Sequence, residues 1–402
     1  MTVAHGLDAG GLRRLHDRLA AHADSGAVPG LTALVACGDD VHVEVLGTLA
    51  VGDPAPLPRD AIFRIASLSK PIGAAGAMVL VDDGVLSLGD PVEKFLPELA
   101  GRRVLRTLGS ALDDTVRAER PITIEDLLTF RMGFGNIMVP GDYPIMAAEA
   151  ELGLQTLGPP WPNPPFGPDE WIARFATLPL MEQPGTLWRY NTGAQVLGIV
   201  LERASGQPLE EFLRARLFEP LGMADTSFSV PPEKQDRFTT AYIPNLKTGG
   251  LDLLDEPGTG SWSVPPPMGN MAGMLVATLD DYWAFVSMLL ADGRHEGQAL
   301  LSPDSVRAMT RNHVSADQRA AALPILEAGD GWGYCMAAPL DGVSPPPVPS
   351  GFGWNGGSGT VWRSDPARGL TGIMFTSRAM SSPVPPPHFV DFWSGAYWAL
   401  AD

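Results

Sequence analysis

Hydrophobic residues near the start of the chain recur at two spacings, one helical and one extended. Leu12, Leu15 and Leu19 stand three and four positions apart, which predicts a helix with one apolar face. The apolar runs Leu31–Ala36 and Val41–Leu46 are separated by a Gly-Asp-Asp turn. Two such runs joined by a short polar turn predict a β-hairpin directly after the first helix.

The C-terminal part returns to the extended pattern. Turn residues bound three apolar runs that predict strands, at Trp332–Ala337, Thr360–Arg363 and Leu370–Ser377. A strongly apolar segment, Phe389–Leu400, predicts a closing helix. Both chain ends therefore combine strands with a helix.

The middle of the chain is predicted to be mainly helical. Helical spacing, caps and first-turn acids predict helices at Ile122–Phe130, Thr192–Ala204, Leu209–Leu217 and Asp280–Leu290. Residues 133–168 are rich in glycine and proline and predict a long loop. Its proline-rich part, residues 158–165, is interpreted as a linker or as the rim of a pocket.

This order of elements predicts an α/β fold in which the two chain ends form one domain. Residues 1–82 and 275–402 are assigned to that α/β domain, and residues 83–274 to an inserted, mainly helical domain. The 402 residues are 45% hydrophobic and 18% charged, a composition typical of a folded chain with a substantial core.

The charge and the terminal sequence limit the partners. A net charge of −18 would repel nucleic-acid phosphates and anionic membranes, so a small-molecule partner is expected. Met1–Leu19 lacks the apolar core of a secretory signal and no long apolar span occurs, so the expected location is the cytoplasm. Cys37 and Cys335 are expected to be buried thiols without a disulfide framework. The oligomeric state is left open.

The first stretch with chemical meaning is Ser67-Leu68-Ser69-Lys70. A predicted strand, Ala61–Ile65, leads into a helix that Ser67 could cap, and a three-residue step places Lys70 beside the serine hydroxyl. A lysine whose pKa is lowered can activate a serine as nucleophile. The alternative is a capping serine followed by a surface lysine.

Two further stretches could contribute to the same site. Tyr190 precedes a predicted helix, a position that favours a phenolate, although such a tyrosine is commonly a packed ring. Residues 351–356 match Gly-x-Gly-x-x-Gly, but a proline run precedes them and strands follow, so no βαβ unit is available for a dinucleotide. A glycine-rich strand edge instead allows a ligand to approach the backbone.

Together, Ser67-x-x-Lys70, Tyr190 after Pro-Gly, and Trp354-Asn355-Gly356 resemble the three motifs of the serine β-lactamase and penicillin-binding-protein superfamily, on the class C side. The branch that the chain resembles most is the β-lactamase-like carboxylesterases called family VIII. The resemblance spans nearly the whole chain. It implies an antiparallel sheet flanked by helices, with an inserted mainly helical domain.

The resemblance also implies roles for individual residues. Ser67 would be the nucleophile, and Lys70 and Tyr190 would share the proton transfers. The backbone N–H groups of Ser67 and Gly357 would form the oxyanion hole. The substrate would be contacted by the third motif and by the residues after Tyr190, namely Trp354, Asn355, Gly356, Asn191 and Thr192.

Two departures from the lactamase pattern bear on the substrate. Trp354 stands where many β-lactamases have a lysine that holds the substrate carboxylate, which favours neutral esters. The usual Tyr-x-Asn reads Tyr190-Asn191-Thr192, so the amide that would recognise a lactam is shifted or absent. The chemistry needs no cofactor and no metal ion.

The resulting hypothesis is a serine hydrolase that cleaves small to medium esters through an acyl-enzyme on Ser67. The alternatives are an acyltransferase on the same residues, a β-lactamase or D-amino-acid peptidase, and a non-catalytic binding protein of this fold. An α/β-hydrolase triad is disfavoured because the sequence has no Gly-x-Ser-x-Gly motif.

Overall fold

The computed structural model describes residues 6–154, 165–319, 322, 324–327, 329–340 and 351–401. The proline-rich stretch 158–165 therefore lies outside the described residues, except for Pro165. The helices are α1 Ala9–Asp24, α2 Ser69–Asp82, α3 Ile124–Leu128, α4 Pro144–Glu151, α5 Pro168–Ala176, α6 Thr192–Ser205, α7 Leu209–Leu213, α8 Glu219–Leu221, α9 Leu279–Leu290, α10 Pro303–Thr310, α11 Ala316–Arg319 and α12 Pro387–Trp398.

The strands are β1 Gly30–Cys37, β2 Asp40–Gly47, β3 Phe63–Arg64, β4 Arg103–Leu105, β5 Thr115–Arg117, β6 Ala241–Pro244, β7 Leu251–Asp255, β8 Val276–Ala277, β9 Arg294–His295, β10 Gln298–Ala299, β11 Asp330–Trp332, β12 Ala337–Pro339, β13 Phe352–Gly356, β14 Thr360–Asp365 and β15 Leu370–Thr376. Short 3₁₀ helices lie at Ala66–Leu68, Val92–Lys94, Pro97–Leu99 and Pro232–Arg237, and a π-helical turn lies at Arg214–Phe218.

The main sheet joins the two ends of the chain. In the described residues its order is β11-β12-β13-β14-β15-β1-β2, and each neighbouring pair is antiparallel. The predicted hairpin is confirmed as β1 and β2, and Leu34 of β1 lies opposite both Val43 and Ile373. The predicted antiparallel sheet with flanking helices is therefore confirmed, whereas the division at residues 82/83 and 274/275 stays a prediction.

Side chains of β1 alternate between two apolar layers, as the two-residue period of a strand requires. Leu31, Ala33 and Val35 pack with α1 and α12 on one face of the sheet. Leu34 and Ala36 belong to the larger core on the other face, which includes α2 and α9. The site described below lies at the edge of this larger core, where α2 begins.

Three predicted segments are corrected by the structure. Trp332–Ala337 is not one strand, because Gly333 N–H bonds the Met336 carbonyl at 2.8 Å and turns the chain between β11 and β12. The segment predicted as loop contains α4, which begins at a proline. The helix predicted at Leu209–Leu217 passes at Arg214 into a π-helical turn.

The other predicted elements are present. Thr123 caps α3 and forms a reciprocal capping box with Asp126, and Gly206 ends α6 in the left-handed conformation. Both cysteines are buried, as expected. Within the part of the chain that the structure describes, no helix is long and apolar enough to cross a membrane.

The contact between α1 and α12 generates a stability prediction. A Cβ added at Gly395 would lie 2.5 Å from Leu15 Cδ1 and 3.0 Å from Leu15 Cα, so the two helices would have to separate. We expect Gly395→Ala to lower the free energy of unfolding by about 1–3 kcal/mol, the usual cost of overpacking. Urea denaturation measures the change.

Gly109 provides the matched control, because a Cβ there meets nothing within 4 Å. Gly109→Ala should leave the urea midpoint unchanged or raise it slightly, since alanine restricts the unfolded chain. Equal midpoints for Gly395→Ala and the wild type would contradict the close approach of the two helices.

Candidate active site

The segment before Ser67 is held from two sides. Arg64 is buried, its Nε donates to Asp255 Oδ2 at 2.8 Å, and its guanidinium lies 3.9 Å from the centre of the Phe238 ring. On the other side, Ser358 Oγ donates to the Arg64 carbonyl. The β3 strand is thereby fixed between the β6–β7 region and the loop that follows β13.

The chain turns sharply directly before Ser67. Ala66 has a φ of +45°, an unfavourable value for a residue with a side chain, and a 3₁₀ turn follows before α2 begins. The expected cap by Ser67 is wrong, because Leu68 occupies the cap position of α2 without a side-chain bond. Ser67 is partly exposed, while Ala66 and Leu68 are buried. Its hydroxyl is left available for other partners.

Lys70 is buried directly beside that hydroxyl. Its side chain is 0% exposed, and its amine lies 2.9 Å from Ser67 Oγ and also donates to the Ala272 carbonyl. Burial lowers the pKa of Lys70 to about 7, against a slight opposing effect of the nearby Cys335. Near neutral pH a large fraction of this amine therefore carries a free lone pair.

Tyr190 reaches the same oxygen from the other side. Its hydroxyl donates to Ser67 Oγ at 2.8 Å and accepts a bond from Trp354 Nε1 at 2.8 Å. Burial raises the pKa of Tyr190 to about 12, and the bonds to Ser67 and Trp354 offset only part of that rise. The phenolate expected from its position before α6 is therefore wrong, and Tyr190 is a proton donor at neutral pH.

Trp354 makes a contact that the sequence did not indicate. It is 4% exposed, and its ring packs 4.7 Å from Trp332 and 5.8 Å from Tyr190, measured between ring centres. Phe130 and Trp188 pack against the other sides of Tyr190. This aromatic cluster fixes the phenol ring, and the Trp354 indole fixes the direction of its hydroxyl.

The third motif lies against the turn that carries Ser67. Thr360 Oγ1 donates to the Ile65 carbonyl at 3.0 Å, and a Cβ at Gly356 would lie 2.6 Å from the same oxygen. Only glycine allows β13 to approach this closely. Asn355 and Gly357 are partly exposed beside it, so their contacts with substrate and oxyanion remain predictions.

Asn191 and Thr192 are placed at the start of α6, directly after Tyr190. Both are buried, and Asn191 has a φ of +86°. Their substrate contacts also remain predictions. Positive φ values recur around the site, at Ala66, Phe130, Asn191 and Cys335. Strained backbone of this kind persists where the surrounding contacts enforce it, as they do at functional sites.

The sequence alone did not indicate that two further groups lie near Lys70. Ala272 acts through its backbone carbonyl, which no side-chain pattern encodes. Cys335 lies at the tip of the β11–β12 hairpin, where its N–H bonds the Leu128 carbonyl at 2.8 Å, and burial raises the pKa of its thiol to about 12. In the described residues, no group of three or more His, Cys, Asp or Glu side chains could hold a metal ion.

This geometry can activate a serine without a histidine. A largely neutral amine and a neutral phenol both contact one partly exposed hydroxyl, so one group can take a proton while the other gives one. Such a centre is typical of serine enzymes that work through an acyl-enzyme.

The chain belongs to the Beta-lactamase family, whose profile matches residues 15–388. It is 36% identical to Protein Rv1367c of Mycobacterium tuberculosis over 86% of this chain and 85% of that protein. It is 31% identical to Esterase EstB of Burkholderia gladioli over 82% of this chain and 81% of that protein. The family is one of β-lactamase-fold hydrolases, and the relatives include esterases and acyltransferases.

A solved structure shows the same fold. EstCE1, described as a hydrolase with promiscuous acyltransferase activity, superposes with a TM-score of 0.76 at 22% identity. The match covers 96% of this chain and 99% of the EstCE1 chain. The predicted β-lactamase/transpeptidase-like fold is thereby confirmed.

The lowered pKa of Lys70 predicts how activity depends on pH. If the neutral amine is the base, kcat/KM for a neutral ester should fall as the pH drops through about 7, approaching tenfold per pH unit. The raised pKa of Tyr190 keeps it protonated up to pH 10, so its titration causes no loss in that range. Initial rates between pH 5 and 9 measure the profile, with circular dichroism as the folding control. A flat profile from pH 5 to 8 would contradict Lys70 as the base.

The Trp354 bond predicts the effect of a conservative change. Trp354→Phe keeps an aromatic ring but removes the donor to Tyr190, so kcat should fall about tenfold while KM changes little. The matched control is Trp362→Phe, because the Trp362 indole is also buried and donates to Ser364 Oγ at 3.0 Å. Steady-state kinetics measures kcat and KM for both variants. Equal losses of kcat in the two would show that the effect is not specific to the bond with Tyr190.

Proposed function

We propose that the chain is a serine carboxylesterase that cleaves small to medium neutral esters through an acyl-enzyme on Ser67. The observation that carries the proposal is the shared contact of Lys70 and Tyr190 with the Ser67 hydroxyl, at 2.9 and 2.8 Å. The relationship to Esterase EstB supports the choice of ester chemistry.

In the proposed reaction Lys70 takes the proton of Ser67 while Oγ attacks the ester carbonyl carbon. The tetrahedral oxyanion would be held by the N–H groups of Ser67 and Gly357. As the carbon–oxygen bond to the alcohol breaks, Tyr190 gives its proton to the leaving oxygen, and the proton held by Lys70 restores the phenol. Water then attacks the acyl carbon, and the Ser67 hydroxyl is regenerated by the same groups in reverse order.

The Trp354 side chain favours neutral substrates over anionic lactams. The indole is uncharged and directs its N–H at Tyr190, so it offers no charge to a substrate carboxylate. A charge-assisted contact contributes about 1.5–3 kcal/mol. Without it, the relative kcat/KM for an anionic substrate would be lower by roughly tenfold or more.

Acyl transfer is a second candidate function. EstCE1 is described as a hydrolase with promiscuous acyltransferase activity, and one relative of this chain is an acyltransferase from Penicillium decumbens. Both reactions use the same acyl-enzyme and differ only in whether water or an alcohol accepts the acyl group.

One experiment tests the nucleophile and the substrate class together. The wild type should form a covalent adduct with a fluorophosphonate and hydrolyse p-nitrophenyl esters of two to eight acyl carbons faster than nitrocefin. Ser67→Ala should lose the adduct and at least about a thousandfold in kcat, because the attacking atom is gone. Intact-protein mass spectrometry and initial rates provide the measurements.

Ser110→Ala is the control, since Ser110 is partly exposed and its described hydrogen bonds are to the nearby loop residues Thr107 and Asp114. An adduct that persists on Ser67→Ala would exclude Ser67 as the nucleophile. Nitrocefin turnover equal to that of the best ester would overturn the esterase proposal. Adding butanol separates the two candidates, because a transferase would form mainly the butyl ester.

A further inference from the structure

We propose that Asn270 is a positioning residue that orients the Lys70 amine through the Ala272 carbonyl; this inference rests on the proposed function. Asn270 is 3% exposed and lies in the turn between Gly269 and Gly273. It touches neither Ser67 nor Tyr190 through any described hydrogen bond, so its effect would pass through the turn.

Asn270 fixes both peptide groups that flank Ala272. Its side-chain Oδ1 accepts the Ala272 N–H at 2.7 Å, and its backbone carbonyl accepts the Gly273 N–H at 3.4 Å. In a trans peptide the carbonyl points opposite to the N–H of the next residue. Because the Gly273 N–H points back to Asn270, the Ala272 carbonyl points away from it, and there it meets the Lys70 amine.

The turn also packs against the 3₁₀ turn before α2 and against α2 itself. A Cβ at Gly273 would lie 3.4 Å from the backbone carbon of Ala66, the residue before the nucleophile. A Cβ at Gly73 would lie 2.9 Å from Met271 Cβ, so the middle of the turn packs on the helix that carries Lys70. The Asn270 bonds therefore act on a turn with little room to move.

This arrangement has a chemical consequence for the neutral amine. A neutral lysine has two N–H donors and one lone pair, and it must direct the lone pair at the Ser67 proton to act as base. When one N–H is bound to the Ala272 carbonyl, the rotation of the amine is restricted and the lone pair can face Ser67. A loosened turn would let the amine rotate away.

The same carbonyl affects the protonation of Lys70. A hydrogen-bond acceptor favours the charged form of an amine, so it opposes the effect of burial. Loss of a well-placed carbonyl should therefore lower the pKa of Lys70 further. A merely structural residue would change stability without this shift.

Three variants test the inference. Asn270→Ala should reduce kcat for a p-nitrophenyl ester by roughly tenfold to a hundredfold, with KM changed less than about threefold. The acid limb of its pH profile should move to lower pH. Asn270→Ser should have a kcat and an acid limb between those of Asn270→Ala and the wild type, because a serine hydroxyl makes the same local bond more weakly.

Asn245→Ala is the matched control. Asn245 Oδ1 accepts the N–H of Lys247 at 2.9 Å in the exposed turn between β6 and β7, so the variant loses a similar local bond elsewhere. It should keep wild-type kcat and pH profile. Thermal unfolding shows whether each variant is folded, and if Asn270→Ala is not, the serine variant carries the test.

The outcomes separate this inference from the proposed function. A wild type that neither hydrolyses esters nor reacts with a fluorophosphonate would overturn the proposed function, and this inference with it. An active wild type with an unshifted acid limb in the folded Asn270 variant would overturn the positioning role alone. So would a loss of kcat in Asn245→Ala as large as that in Asn270→Ala.

Discussion

The burial of one amine is the interaction on which the site depends. Lys70 is enclosed at the start of α2, and removal from water is the main reason that its pKa falls to about 7. Among the described residues, the groups that bond or interact with this amine are uncharged side chains or backbone: the Ser67 hydroxyl, the Ala272 carbonyl, the Tyr190 ring and the Cys335 thiol. A carboxylate in that shell would hold the amine in its charged form. The apolar core around α2 is thus also the reason that this amine is largely neutral near pH 7.

The architecture explains how distant segments meet at this amine. Ser67 follows β3, which pairs with β8, and the turn that carries Ala272 lies just before β8 in sequence. The third motif lies on β13, near the other end of the chain. It is brought to the site because β15 pairs with β1 and so joins the C-terminal strands to the N-terminal hairpin in one sheet. The buried Arg64–Asp255 pair adds a third attachment, from β3 to the end of β7. Such a pair contributes little net stability, but losing one partner would leave a buried charge, so it keeps this junction in one arrangement.

Local sequence signals predicted most of the elements and singled out Ser67, Lys70 and Tyr190, which the structure brings together, but they did not predict the contacts of Trp354 and Ala272. The alternation of β1, the capping box at Thr123 and the Gly206 stop are short-range features, and each gave the right element. The turn at Gly333 was not predicted, because the apolar residues on both sides of it have the pattern of a single strand. The cap expected of Ser67 was wrong because its hydroxyl bonds Lys70, three residues on, and Tyr190, which is distant in sequence. The bond from Trp354 to Tyr190 joins residues far apart in sequence, and no periodicity encodes it.

The direction of proton flow follows from the difference between two pKa values. The pKa of Lys70 is about 7 and that of Tyr190 about 12, and both groups contact the same oxygen, so in the proposed reaction the amine would accept a proton near neutral pH and the phenol would donate one. When their environments push the pKa values of two titratable groups apart in this way, one can act as acid and the other as base without a histidine. If Tyr190 gives up its proton as proposed, negative charge would develop on its oxygen, and the Trp354 N–H is already directed at that atom. A neutral donor can thus stabilise the phenolate at the moment of transfer, without adding the charge that would favour an anionic substrate.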